Sequence, residues 1–274
     1  MNHKNSFIKG RARQMLLGNY ANTIIAILIA QIIPELALIP FNHFCSKRYL
    51  VASQTYIYYL AFILITLIQI VLISGTFKLH LNIGRGKEIS VSQMFDILNQ
   101  RPDRVIVGAI VLFVISIIPF VPLLFFCYRL YLTVSEQFNE LLLQYGNVLD
   151  TIENLSLPLT NVQLLVFCAL TIFGVIVSIV LLLLFVPVLV MYADDEETNS
   201  LEAFKKLGQL LNGKRGRLVG LGFSFAGWVL LIALSFGVAA LWVAPYLGQT
   251  ITNFYLDCKG ELMPAEAGSF YKEV

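Results

Sequence analysis

Apolar runs of bilayer-spanning length alternate along this chain with short polar segments, and that alternation predicts its elements. Crossing the roughly 30 Å hydrocarbon layer takes about 20 helical residues. Ala21–Phe41, Tyr56–Lys78, Val105–Phe126 and Leu164–Tyr192 each reach that length. The last tract, Leu218–Leu256, is too long for one span. Ser235-Phe236-Gly237 near its middle offers a turn, because glycine takes positive φ without a Cβ clash. Dividing it there gives Leu218–Leu234 and Val238–Leu256, six spans in all. The runs are continuous rather than alternating over about ten residues, which excludes a membrane β-barrel. The expected fold class is all-α: a polytopic membrane helical bundle of six transmembrane helices with cytoplasmic interfacial amphipathic helices.

Those interfacial helices follow from periodicity in the polar segments. Phe7, Ile8, Met15 and Leu16 before span one, Ile89, Met94, Phe95 and Leu98 before span three, and Leu201, Phe204, Leu207 and Leu211 before span five recur at helical spacing. Ser90 to Gln93 has the form of a capping box, and Asn199 with Glu202 a looser one. Met15–Tyr20 aligns with Gln209–Lys214, whereas the middle segment lacks their glycine. The chain therefore reads as a single membrane domain over 1–274, built of three pseudo-repeated hairpin units at about 5–80, 88–192 and 199–257. Between spans three and four, Phe138, Leu141, Leu142, Tyr145, Leu149, Ile152 and Leu155 share one helical face. Residues 128–160 are expected to form an extracytoplasmic amphipathic insertion, and 258–274 a cytoplasmic tail.

Charge sets the orientation. Charged residues are 13% of the chain against 58% hydrophobic, about half the charge of a soluble domain, and mean hydropathy is +0.77. With a cytoplasmic N-terminus, every one of the 19 lysines and arginines except Lys47, Arg48 and Arg129 lies inside, as the positive-inside rule requires. A five-span chain would move Lys259 and Lys272 outside. The first apolar run is long and lacks a small-x-small cleavage site, so it reads as a retained span rather than a signal peptide. A net charge of +2 gives no reason to expect nucleic acid. Membrane lipids are the expected partners, and a protein partner stays open.

Candidate chemistry is sparse. Lys205, Lys206, Lys214, Arg215 and Arg217 are candidate anionic-lipid contacts, at about 1 kcal/mol per basic residue near a membrane surface; the same charges also hold the segment inside. Glu35, with Gln31 and Gln69, forms the candidate intramembrane polar site. Glu35 also lies near the outer end of its span between Pro34 and Pro40, where a side chain can reach the headgroups. Asp194 to Glu197 offer oxygens for a divalent cation, yet consecutive side chains diverge, and acids before a helix suit its macrodipole. Gly216 and Gly220 make a small-xxx-small pair, a signal for close helix contact. His3, His43 and His80 are scattered and expected near water. The four cysteines form no CxxC pair, and Cys45 with Cys127 is a candidate outer disulfide. No catalytic, cofactor-binding or metal residue is assigned, and no cofactor is expected.

Ala193-Asp194, Ser200-Leu201-Glu202-Ala203-Phe204, Leu211-Asn212-Gly213-Lys214, Ser224-Phe225-Ala226-Gly227-Trp228 and Ala244-Pro245-Tyr246 resemble features of a bacterial integral-membrane family, domain of unknown function 975. Leu16-Leu17-Gly18-Asn19-Tyr20 and Gly84-Arg85-Gly86-Lys87-Glu88 are similar to it as well, while the acidic outer loop is longer than the family pattern. The resemblance implies a six-span protein of the bacterial plasma (inner) membrane, and it brings no catalytic residues. The expected role is non-enzymatic, lipid-contacting or partner-binding in the envelope. The alternative is a small-molecule or ion transporter built from the three hairpins, which requires a polar cavity near Gln31, Gln69 and Pro187.

Overall fold

The computed structural model describes residues 3–45, 52–99, 101–154 and 160–262, and all regular structure among them is helical. The helices are α1 (Asn5–Leu16), α2 (Tyr20–Cys45), α3 (Ala52–Gly84), α4 (Asp96–Asn99), α5 (Pro102–Ile117), α6 (Val121–Tyr145) and α7 (Val148–Asn154). They continue with α8 (Asn161–Phe185), α9 (Pro187–Asp194), α10 (Ser200–Leu210), α11 (Arg215–Phe223), α12 (Ala226–Leu234) and α13 (Ala240–Lys259). A 3₁₀ turn at Val91–Phe95 leads into α4, and another at Ile118–Phe120 joins α5 to α6. The second of these carries Pro119, and Pro187 opens α9. Both breaks fall where proline withholds an amide from the helical ladder.

Among the described residues, five helices are long and apolar enough to cross a membrane: Tyr20–Phe41, Tyr56–Gly84, Pro102–Tyr145, Asn161–Asp194 and Arg215–Leu234. The expected turn follows the last of them, with Gly237 at φ +90° and, unforeseen, Phe236 at φ +51°. α13 is not among the five. Gln249, Thr250, Thr252, Asn253 and Asp257 make it too polar, although Val238–Leu256 was the expected sixth span.

The chain divides into two compact units, one running to Val111 and resuming at Leu183, the other Leu112–Leu182. In the first unit α13 is buried along most of its length from Val243 to Asp257, packed against α1, α2, α3 and α9. α1 presents Ile8, Ala12 and Leu16, four residues apart, to this core. Ala12 and Leu16 cluster with Ile83, Phe225 and Tyr246; Ala26 and Ala30 cluster with Leu72, Leu79 and Met94. Helices come close at Gly75, where a Cβ would collide with the Met94 carbonyl, and at Gly108, where it would strike the Tyr192 ring. The pair read as a helix contact faces open space: a Cβ at Gly216 would meet nothing within 4 Å, and one at Gly220 only Asn5 Nδ2 at 3.9 Å.

A left-handed residue precedes α2, α5 and α11: Gly18 at φ +83°, Arg101 at +53° and Gly213 at +70°. The middle segment thus makes the step with an arginine, at a cost of roughly 1–2 kcal/mol for a residue with a Cβ. Neither capping box closes. Gln93 is drawn to the end of α3, where its Oε1 accepts from Asn82 (2.9 Å) and its amide donates to the Glu88 carbonyl (3.4 Å). Ser90 Oγ accepts from the Ser92 amide instead (3.4 Å), and Asn199 makes no side-chain cap.

In the second unit α6 runs unbroken past Cys127 to Tyr145, and Gly146 at φ +72° ends it. The sequence pattern closed a span at Phe126 and set a separate helix in the loop beyond. Nothing between Phe126 and Tyr145 breaks a helix, and Pro122 sits in the first turn, where it is tolerated. Asn147 caps α7, its Oδ1 accepting from the Asp150 amide (2.8 Å). Phe138, Leu141 and Leu142 are half-buried, Tyr145, Leu149 and Ile152 exposed. Ser178 Oγ donates to the Ser116 carbonyl (2.7 Å), and Gly174 lets the Phe120 ring close in. Lys47, Arg48, Leu155 and Lys272 lie outside the described residues, as do the side chains of His43 and Cys45.

Candidate functional site

The polar chemistry of the first unit is organised by α13. Gln249, Asn253 and Asp257 fall four apart and so share one stripe. At its inner end is His80 of α3, which is 2% exposed rather than near water. Its Nδ1 lies 3.0 Å from Gln249 Oε1, and because that oxygen only accepts, Nδ1 carries the proton. Gln249 Nε2 donates to the His80 carbonyl (3.2 Å) and to Asn253 Oδ1 (2.9 Å). Gly248 admits the ring, since a Cβ there would meet His80 Nε2 at 2.7 Å.

Two ionic groups close the other end. The Asp257 side chain, 1% exposed, accepts from His3 Nδ1 (2.6 Å) and from Arg217, whose guanidinium lies 4.7 Å over the Phe254 ring. Burial opposes charge at Asp257, but His3 and Arg217 together hold its carboxyl below the ordinary range. The second group is a ring of alternating sign. Asp194 meets Arg85 (2.6 Å) and Lys259 (2.9 Å), and Glu261 meets the same two bases (2.6 and 2.8 Å). The Tyr255 hydroxyl adds a bond to Asp194 (2.9 Å). Burial again works against charge, yet the carboxylates raise the Lys259 ammonium and the two bases lower the Glu261 carboxyl.

Arg104 on α5 is 1% exposed and points at the C-terminal end of α9. It donates to the carbonyls of Tyr192 (2.9 Å), Thr198 (3.4 Å) and Asp195, which satisfies acceptors that a helix end leaves open. The four acids therefore separate. Asp194 joins the ring, while Asp195 accepts from the Thr198 hydroxyl and from the amides of Glu197 and Thr198, bonds that lower its carboxyl. Glu196 reaches Lys78 (3.5 Å). Among the described residues no three His, Cys, Asp or Glu side chains converge as a metal site would.

The candidate lipid contacts also separate. Lys206 donates to Thr198 Oγ1 (2.8 Å) and lies 3.4 Å from Glu202. Lys214 donates to the Cys258 carbonyl (3.2 Å), and Arg217 is committed to Asp257. Lys205 and Arg215 are exposed and engage no partner among the described residues. Of the intramembrane candidates, Gln69 Nε2 donates to Gln31 Oε1 (2.8 Å) between α2 and α3, while Glu35 is exposed and has no partner among the described residues. A crevice of about 230 Å³ beside Val186 takes in Gln31, Thr76 and His80 among apolar neighbours. Cys127 carries a free thiol.

Sequence reasoning missed Arg85, Arg104, Tyr255 and Asp257. A signal existed for one of them, the polar repeat at every fourth residue of α13. For Arg85 and Arg104 there was none, because their partners are remote in the chain.

A search of curated proteins and a search of solved structures each returned no match. A family described as "Protein of unknown function (DUF975)" matches residues 1–261, which takes in the five apolar helices, α13 and the ionic ring as far as Glu261. The chain belongs to the DUF975 family.

Proposed function

We propose that the chain is a six-span protein of the bacterial plasma membrane, both termini cytoplasmic, that acts without chemistry of its own by contacting lipid or a protein partner in the envelope. One observation carries this. Each of the five apolar helices has at most 22% of its most apolar window buried within the chain, so lipid or a partner must cover the rest. The packed, charged end of the first unit supports the orientation, because its bases exceed what the acids beside them neutralise. In this reading Val238–Leu256, which takes in most of α13, is the sixth span, its polar stripe turned to protein. α1, the 91–99 segment and α10 lie at the cytoplasmic surface, and 128–160 is the extracytoplasmic insertion. Transport of a polar solute finds less support, since the lining of the Gln31 crevice is mostly apolar.

The test is lipid retained by the full chain in mild detergent. Lys205→Gln with Arg215→Gln should weaken phosphatidylglycerol retention about thirtyfold if each charge is worth ~1 kcal/mol. Lys206→Gln should do little, being held by Thr198 and Glu202. Unchanged retention in the double variant would count against the reading.

A further inference from the structure

Between α1 and the turn that ends α3 is a pocket of about 210 Å³. Arg11, Gln14, Met15 and Asn19 line one side, Ile83 and Lys87 the other. The geometry points to a binding site for the phosphate of one anionic phospholipid headgroup. This rests on the lipid-contacting reading above and gives it a specific address.

Charge is the first argument. The Arg11 and Lys87 side chains make no ion pair or hydrogen bond among the described residues, and Arg11 Nε is buried without a partner. Other bases nearby are engaged: Arg85 and Lys259 by Asp194 and Glu261, Arg217 by Asp257, Arg13 by the Tyr246 ring at 5.1 Å. Two cations sharing a pocket without a counter-ion repel until an anion enters. A buried guanidinium N–H left open is costly, and a phosphate satisfies Nε and Nη together in the fork geometry arginine favours.

Depth is the second. Asn19 immediately precedes the apolar helix Tyr20–Phe41, and Ile83 belongs to the last turn of Tyr56–Gly84. The pocket therefore sits where hydrocarbon gives way to headgroups. Gly86, at φ +67°, turns the chain so that the Lys87 amide bonds back to the Asn82 carbonyl (2.9 Å), which sets Lys87 at this level.

Shape is the third. Ile83, with Met15 against it, belongs to the cluster of Ala12 and Leu16, an apolar floor suited to glycerol and the first methylenes. The volume is below the roughly 300–1,000 Å³ of pockets that enclose a drug-sized ligand, so it admits a headgroup and not a whole lipid. The group recognised is a phosphate oxyanion, which soluble phosphate also carries.

The test is native mass spectrometry of the full chain in micelles, titrated separately with phosphatidylglycerol, phosphatidylcholine and inorganic phosphate. Phosphatidylglycerol should bind ahead of the other two. Arg11→Gln with Lys87→Gln should weaken it about thirtyfold, and Lys87→Gln alone, at an exposed position, about fivefold. Parent-level binding in both variants overturns the site, as does displacement of the lipid by millimolar inorganic phosphate. Loss in the Lys205/Arg215 variant without loss in the Arg11/Lys87 variant removes this pocket and leaves the broader reading intact. A parent chain that holds no phosphatidylglycerol removes both.

Discussion

At Asp257 a carboxylate almost out of reach of solvent is kept ionised by His3 on one side and Arg217 on the other. The direction of its shift fixes a pH dependence. Asp257 and Glu261 have folded values below their unfolded ones. The stability they contribute is complete above the unfolded carboxylate range near pH 4 and is lost as pH falls through the folded values. Lys259 is raised, so its contribution is complete below about pH 10.4 and is lost as pH rises through the folded value. Unfolding temperature in micelles should be flat from about pH 5 to 9 and fall on the acid side. Asp257→Asn preserves the shape but leaves Arg217 buried without its counter-charge, with Nε and Nη1 already unpartnered. Because Arg217 is one-fifth exposed, the loss should be about 2–3 kcal/mol, at or just below the low end of the roughly 3–5 kcal/mol for breaking a fully buried pair, with a shallower acid limb. Parent-like melting and an unchanged acid limb in this variant would show the pair to be idle.

Helix contacts in this fold depend on where a side chain is missing. Gly75 of α3 faces the Met94 carbonyl, so Gly75→Ala forces the 91–99 segment away and should cost about 1–3 kcal/mol by overpacking. Gly216→Ala meets open space and should be neutral or stabilising by up to about 1 kcal/mol, because alanine favours helix. Thermal melts of the two variants in one detergent separate the cases, and equal melting points would refute this assignment of contacts. The starts of α2, α5 and α11 were readable in the sequence, since polarity switches to apolar within a few residues of Tyr20, Pro102 and Arg215. The bend at Ser235–Gly237 was readable for a local reason too, the glycine. Two kinds of feature were not. The run of α6 past Cys127 escaped because a drop in hydropathy marks a change of surroundings, not a helix end. Which of several glycines makes a contact escaped as well, because a GxxxG spacing records small size and not what lies opposite. The ionic ring shares that opacity, since Arg85 and Asp194 meet only through the packing of α3 on α9.

For the molecule as a whole, the six-span orientation is the broadest proposal to test. A fluorescent protein fused after Val274 should light in the cytoplasm, and alkaline phosphatase inserted at Asn147 should be active outside; an active phosphatase after Val274 would reverse the topology. The polarity of α13 bears on how such a chain is made. A segment rich in amides and hydroxyls, with a carboxylate near its end, partitions poorly into lipid by itself. It needs α1, α2, α3 and α9 as an existing berth, and the ribosome delivers all four before it. Insertion of α13 should therefore be a docking step that follows those four helices. A polypeptide stopped short of Ala240 would strand His80 and Arg217, whose partners Gln249 and Asp257 lie on α13, along an open seam, a ready mark for membrane proteases.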